Sequence, residues 1–203
     1  MFELFEKGGV MMYPILVTSI LAIAVIIERA YFLYFKIKKL EDSVIGDILD
    51  STDNGNAVKA IEFLEQEESI YKNYYISILQ QNEEELMEKA AILKGDELLF
   101  NLNRRLNMLS IAASVLPLMG LLGTVLGMIK VFSRVAQAGD AADISVLAGG
   151  IWEALLTTAA GMAIAIPVML FYHFFKRSIE KIAHSMSQNG DKIIASFRKK
   201  KTK

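Results

Sequence analysis

The sequence predicts an all-α membrane protein with three transmembrane helices and long cytoplasmic helical extensions. Apolar residues make up 53% of the 203 residues and charged residues 22%, and the mean hydropathy is +0.36. The charges are concentrated in dense blocks, and long uncharged tracts lie between the blocks. About 20 consecutive apolar residues are needed to cross a bilayer. A soluble domain would instead intersperse its charges along the chain.

Residues 1–10 are predicted to form a short interfacial helix on the periplasmic side. Phe2 and Phe5 lie beside charged residues, and the segment reaches Gly8 and Gly9. Such a pattern suits a helix that lies in the membrane interface. A signal peptide would open with a basic region and end in a small-residue cleavage site. Neither feature is present, so the first apolar segment is expected to stay in the mature protein.

The first transmembrane helix is predicted over residues 11–35. The stretch from Pro14 to Ile27 has no charge, and Pro14 suits the first turn of a helix. Glu28 and Arg29 follow and are expected near the interface, where an arginine can extend its guanidinium towards water.

A polar and acidic cytoplasmic region is predicted over residues 36–108, with apolar residues at helical spacing. Residues 51–56 form its clearest turn signal. Between Glu83 and the second apolar tract there is no proline and one glycine. We therefore expect one helix from about Glu84 through the membrane to about Phe132, on the order of 70 Å long.

The remaining segments are predicted in the same way. They are the second span over residues 109–130, a periplasmic connector with the start of the third helix over 131–152, the third span over 153–175, and a basic cytoplasmic C-terminal helix over 176–203. A turn is expected at residues 138–140. An aromatic flank before the third span and a cationic stop after it are typical interfacial anchors.

The distribution of Lys and Arg predicts the orientation. Only Lys7, Lys130 and Arg134 fall on one side of the predicted spans, so 19 of the 22 basic residues lie on the other side or its edge. Basic residues are enriched in cytoplasmic loops. The N-terminus is therefore expected to be periplasmic and the C-terminus cytoplasmic.

The second span is predicted to carry a face of small and hydroxyl residues. At 100° per residue the face falls within a sector of roughly 100°. It consists of Ala113, Gly120, Gly123, Thr124 and Gly127. The spacing of Gly123 and Gly127 lets helix backbones approach closely. Pro117 lies inside the span and is expected to bend it.

The third span repeats this arrangement within an arc of roughly 140°. Its members are Glu153, Ala154, Thr157, Thr158, Gly161 and Ala165. Pro167 is expected to kink the inner half of the span. Two helices with such faces predict a bundle whose interior is mildly polar.

Both packing and function are possible for these residues. Small residues in spans usually serve packing, and a threonine hydroxyl usually bonds its own helix. A carboxylate within the membrane costs about 2.5–3.5 kcal/mol, which makes Glu153 a functional candidate. The alternative is that the third span starts after Glu153, which would leave its carboxylate among the outer headgroups.

The chemistry missing from the sequence is also informative. No Asp lies in any apolar tract, and Glu28 and Glu153 lie only at the edges of the spans. A proton path would therefore need a partner to supply its carboxylate. The chain has no Cys, and His173 and His184 are isolated, which argues against a metal site. No cofactor, no nucleic-acid partner and no enzymatic activity are expected, since no phosphate loop, basic aromatic patch or nucleophile–base pair is present.

Three motifs resemble the MotA/TolQ/ExbB proton-channel family. The segment Pro117-Leu-Met-Gly-Leu-Leu-Gly-Thr-Val-Leu-Gly-Met128 is similar to the family's second-span signature. The segment Glu153-Ala-Leu-Leu-Thr-Thr-Ala-Ala-Gly-Met-Ala-Ile-Ala-Ile-Pro167 looks like its third-span signature. Gly8-Gly-Val-Met-Met-Tyr-Pro14, followed by Ile27-Glu-Arg29, resembles the two ends of the first span in short ExbB-type members. Three spans favour ExbB or TolQ over MotA.

The resemblance implies a pentamer in the bacterial inner membrane around a dimer of an ExbD/TolR-like partner with a single span. The Asp of that partner would carry the proton, and a TonB-like or TolA-like effector would receive the energy. Thr124 and Thr158 match the family's pore-facing threonines, and Glu153 matches its third-span glutamate. His173 departs from the family pattern, which more often has Asn there.

Two hypotheses follow. The first is an ion-conducting subunit of a motor driven by the proton motive force. The second is a non-conducting membrane scaffold that oligomerises through the small-residue faces of its helices. Replacement of Thr124 or Thr158 by valine separates the two, because only the first hypothesis predicts a loss of function.

Overall fold

Every regular element in the described part of the chain is a helix. The computed structural model describes residues 8–37, 42–53, 56–138 and 144–201, and within them there is no strand. This confirms the predicted all-α class. The helices are α1 (Met12–Tyr31), α2 (Asp42–Asp53), α3 (Ala57–Gln66), α4 (Lys72–Leu79), α5 (Glu84–Asn103), α6 (Leu106–Ala138) and α7 (Ile144–Lys201).

Three of these helices are long and apolar enough to cross a membrane. They include the stretches Met12–Tyr34, Leu106–Gln137 and Leu147–Lys199, each with an 18-residue window of mean hydropathy 2.0. The π-helical turn Phe32–Lys36 extends α1. The number and order of the predicted spans are confirmed.

The prediction of one continuous helix from Glu84 to Phe132 is wrong at one point. Helix α5 ends at Asn103, and α6 begins at Leu106 and runs past Phe132. The amide group of the Asn103 side chain donates to the carbonyl of Leu99 at 2.9 Å, a local bond of the kind that competes with helix continuation. The guanidinium of Arg105 forms an ion pair with Glu28, which lies near the end of α1. This contact, distant in sequence, accompanies the break.

Two predicted turns and the N-terminal helix lie partly outside the described residues. Residues 51–53 belong to α2 rather than to a turn, and the carbonyl of the Asn56 side chain caps α3 by accepting from Lys59 N at 3.2 Å. Ala138 ends α6, and the rest of the turn predicted at 138–140 lies outside the described residues. So do residues 1–7 of the predicted interfacial helix. Gly8 to Val10 form a turn.

The chain divides into two compact units. The first contains residues up to Arg29 together with 105–174. Its core combines Ile15 and Ala22 of α1, Leu109 and Leu116 of α6, and Ala154, Ala165 and Val168 of α7. Its outer surface is also apolar, and residues exposed on this single chain include Leu118, Leu121, Val125, Leu155, Ile166 and Leu170. Apolar side chains facing outward along the whole length of a helix bundle suit contact with lipid or with further protein chains.

The second unit contains residues 30–104 and 175–203. Its core is centred on the tyrosines of α4, and the rings of Tyr74 and Tyr75 meet edge to face with centroids 5.0 Å apart. Gly190 of α7 lies so close to Tyr74 that an added Cβ would be 2.4 Å from its hydroxyl oxygen. The other core residues include Ile48, Leu64, Ile78, Met87, Leu102, Ile179, Ile182, Met186 and Ile193.

The burial of Tyr75 predicts that the second unit loses stability at alkaline pH. Burial raises the pKa of its phenol from 10.0 to about 12, against the opposing hydrogen bond with the Asn189 side chain. Between these values the folded state binds more protons than the unfolded state, so stability falls as pH rises from 10 to 12. The loss is about 2–3 kcal/mol. Thermal unfolding across this pH range should show a shallower decline for Tyr75→Phe than for the wild type, and equal declines would contradict the assignment.

Candidate functional site

The second and third spans approach each other at glycines. A Cβ added to Gly161 would lie 2.6 Å from the carbonyl oxygen of Leu116, and one added to Gly123 would lie 2.4 Å from the Cγ2 of Thr157. At Gly120 the nearest atom would be the Cα of Thr158, at 2.9 Å. These distances leave no room for a larger residue at the contact between α6 and α7.

The same contact continues towards the end of α6. A Cβ added to Gly127 would lie 2.9 Å from the Cβ of Ala154. The two prolines predicted to shape these helices lie inside them, Pro117 half-buried in α6 and Pro167 exposed in α7. The small-residue face of α6 therefore lies against the small-residue face of α7.

The two candidate threonines make different hydrogen bonds. The hydroxyl of Thr158 donates to the carbonyl of Gly120 at 2.8 Å, which joins α7 to α6. The hydroxyl of Thr124 donates within its own helix to the carbonyl of Leu121 at 2.6 Å. Both threonines are half-buried. Thr124 follows Gly120 by one helical turn, so it lies on the same side of α6 as the carbonyl that Thr158 contacts.

Thr157 is the most buried of the three threonines on the facing sides of α6 and α7, at 1% exposure. Its hydroxyl lies 2.9 Å from the carbonyl oxygen of Gly8 and 2.8 Å from that of Glu153. Thr157 was predicted to lie on the polar face of the third span, without a particular role. The structure shows that it joins the start of the first span to the third.

Glu153 forms an ion pair with Lys130. The ammonium nitrogen lies 3.2 Å from Oε2 and 3.4 Å from Oε1 of the carboxylate. The Glu153 side chain is 25% exposed and that of Lys130 51%. Lys130 was predicted only as an outer charge, and its pairing with Glu153 was not predicted. The signal was available, because opposite charges stand at the end of one predicted span and the beginning of the next.

A second ion pair lies at the opposite end of α6. Arg105, just before α6, contacts the carboxylate of Glu28 near the end of α1. Arg29 was expected to extend towards water, but it is buried, at 5% exposure. These two ion pairs thus join different parts of the first unit at the two ends of α6, while the glycine and threonine contacts lie between them.

These observations define a multi-pass membrane protein whose second and third spans pack closely and carry hydroxyl groups where they meet. The chain belongs to the MotA/TolQ/ExbB proton channel family, whose model matches residues 63–188. That range contains the second and third spans and most of the region between the first and second spans. The resemblance seen in the sequence motifs is confirmed.

Relatives across nearly the whole chain agree. The biopolymer transport protein ExbB-like 1 of Synechocystis is 35% identical over 173 residues, which cover 83% of this chain and 67% of that protein. The biopolymer transport protein exbB1 of Vibrio cholerae is 29% identical over 91% of this chain and 85% of its own length. An ExbB homolog of Methanothermobacter thermautotrophicus is 29% identical over 88% of this chain and 63% of its own length. The chain is thus a membrane protein of the biopolymer-transport proton-channel type.

Proposed function

We propose that this chain is the channel-forming subunit of an inner-membrane motor that harnesses the proton motive force. Five copies surround a dimer of an ExbD/TolR-like partner with a single span, and the complex energises TonB-dependent transport or a Tol-like process through a TonB-like or TolA-like effector. Thr124, Thr158 and Glu153 line the ion pathway. The observation that supports this most directly is the hydroxyl-bearing contact between α6 and α7, in spans that have no acidic residue near their middle.

The side chains at this contact suit proton transfer to a partner. A hydroxyl group both donates and accepts hydrogen bonds and carries no fixed charge. Thr158 already bonds a carbonyl of the neighbouring helix at 2.8 Å. The apolar tracts have acidic residues only at their edges, Glu28 and Glu153. The group that takes up and releases the proton therefore comes from the partner, and intramembrane carboxylates commonly play this part.

The membrane potential supplies the energy for each step. Moving one elementary charge across the membrane is worth about 2.3 kcal/mol per 100 mV. Protonation neutralises the carboxylate of the partner and allows it to pass the apolar wall, and release on the other side restores its charge. Repeated around five equivalent subunits, this exchange turns the inner dimer stepwise.

The charges of the chain support one orientation for this device. Four basic residues lie at the same end of the predicted spans: Arg104 and Arg105 before the second span, and Lys176 and Arg177 after the third. Basic residues are enriched on the cytoplasmic side. The N-terminus is then periplasmic and the C-terminus cytoplasmic. The junction of Gly8 with Thr157 and the pair of Glu153 with Lys130 lie at the periplasmic end.

The proposal predicts that conduction needs the partner. Liposomes that contain this chain alone should show no proton flux above that of empty liposomes under an imposed potential. Co-reconstitution with an ExbD/TolR-like partner should produce flux, and Asp→Asn in the span of that partner should abolish it. Flux through the chain alone would refute the proposed division of labour, and native mass measurement of the complex tests the ratio of five to two.

A non-conducting scaffold is the second candidate. The glycine contacts of α6 and α7 and the bond of Thr124 within its own helix support it, because both are ordinary packing features. This candidate predicts normal transport when the threonines are replaced by valine.

A further inference from the structure

The Glu153 carboxylate has a cation already in place. The ammonium nitrogen of Lys130 lies at nearly equal distances, 3.2 and 3.4 Å, from its two oxygens. A cation placed between both oxygens of a carboxylate takes the position of a metal ion that the carboxylate would bind in bidentate fashion. Lys130 reaches this position from α6, across the contact between the second and third spans.

A second side of the carboxylate is closed by backbone. Gly9 has a φ of 70°, and a Cβ added there would lie 2.2 Å from Oε1 of Glu153. Only a glycine fits this turn, because a side chain would both strain the backbone and displace the carboxylate. Lys130 occupies a side that Gly9 leaves open.

A hydroxyl and two backbone carbonyl oxygens meet at Thr157, one helical turn after Glu153 on α7. The hydroxyl of Thr157 lies 2.9 Å from the carbonyl oxygen of Gly8 and 2.8 Å from that of Glu153. A hydroxyl has one proton and two lone pairs, so it keeps acceptor capacity while it donates. Carboxylate, carbonyl and hydroxyl oxygens are the ligands that hard metal cations prefer. Without the ammonium group the Glu153 carboxylate would lose the positive charge that now faces both of its oxygens.

We propose that the ammonium group of Lys130 occupies the cation-binding position of the Glu153 carboxylate and so keeps Na⁺ and other small metal cations from binding there. Lys130 is then a specificity-determining residue at one end of the pathway. The part of this inference that concerns the pathway rests on the proposed function, in which Glu153 lines it. The part that concerns cation binding does not. An ion pair as exposed as this one contributes little to folding. The loss of the ion pair in a variant can therefore be separated from the effect of cation binding.

The test measures melting temperature on the purified full-length oligomer in detergent. Lys130→Gln removes the charge and keeps a polar side chain of similar reach, and Lys130→Met is a second neutral variant. In about 300 mM NaCl the neutral variants should melt about 2–4 °C higher than in N-methylglucamine chloride of equal concentration, since a bound cation stabilises the folded state. The wild type and Lys130→Arg, which keep a cation at the site, should melt at the same temperature in both salts.

The matched control is Lys130→Gln combined with Glu153→Gln, which removes the carboxylate and should lose the Na⁺ response. Equal melting temperatures in the two salts for both neutral variants would overturn the inference, because Na⁺ would then not bind the carboxylate that Lys130 leaves. An undiminished response in the double variant would also overturn it, since Na⁺ would then act elsewhere.

Proton flux distinguishes this inference from the proposed function. In liposomes with the partner, Na⁺ should reduce the flux of Lys130→Gln by about fivefold and leave the wild type unchanged. A Na⁺-dependent melting temperature in a complex whose wild type does not conduct would refute the proposed function alone. Normal wild-type flux without any Na⁺ response of the neutral variants would refute the role of Lys130 alone.

Discussion

Replacing Thr158 with valine is expected to reduce proton flux by about 10–100-fold, because a hydrogen bond to a charged group contributes about 1.5–3 kcal/mol. Valine has nearly the shape of threonine but neither donates nor accepts. The change also removes the bond to the carbonyl of Gly120 at 2.8 Å. This second loss is worth about 1 kcal/mol, so the oligomer should still assemble. Thr124→Val is expected to lower flux in the same direction.

Flux into liposomes that contain the complex with its partner measures the effect. Thr158→Ser keeps the hydroxyl and should retain most of the flux. Thr18→Val is the matched control, because the hydroxyl of Thr18 bonds the carbonyl of Pro14 within the first span at 2.8 Å and is assigned no part in the pathway. Normal flux in both Thr124→Val and Thr158→Val would refute the pathway assignment and favour the scaffold.

Replacing Gly161 with alanine is expected to destabilise the first unit by about 1–3 kcal/mol, the usual effect of overpacking. The added methyl group would lie 2.6 Å from the carbonyl oxygen of Leu116 and close to the Cα of Gly120 at 3.2 Å. Both neighbours are backbone atoms and cannot turn away as a side chain does. Gly161→Leu should prevent α6 and α7 from meeting and so block oligomer assembly.

The comparison is with Gly149→Ala on the same helix, where an added Cβ meets nothing within 4 Å in the single chain. Alanine favours a helix over glycine by about 1 kcal/mol, so the control should be neutral or slightly stabilised. Melting temperatures in detergent should therefore move in opposite directions or differ by several degrees. Equal melting temperatures for the two variants would show that the close approach of α6 to α7 does not exist in the membrane protein.

These predictions depend on features that the sequence indicated to different degrees. The glycine and threonine faces were predictable, because a helix repeats every 3.6 residues and residues that share a face recur at fixed spacing. The sequence left open whether Thr158 bonds its own helix or another. The choice depends on how closely two helices approach, and the spacing within one helix does not determine that distance.

The break at Arg104 and Arg105 shows the same limit. The local sequence has no proline or glycine there, and its composition favours an unbroken helix. The actual boundary coincides with an ion pair between Arg105, just before α6, and Glu28 of α1. Propensity describes each segment alone, and tertiary contacts override it.

The sequence by itself determined that this chain crosses a membrane three times and carries hydroxyl and small residues on two of its spans. It did so because crossing a bilayer requires a minimum apolar length and because side-chain direction repeats along a helix. Only the tertiary structure decided that Glu153 meets Lys130, that Thr157 meets Gly8, and that Thr158 reaches Gly120. These contacts join residues that are distant in sequence, so they depend on the packed arrangement of the helices in space.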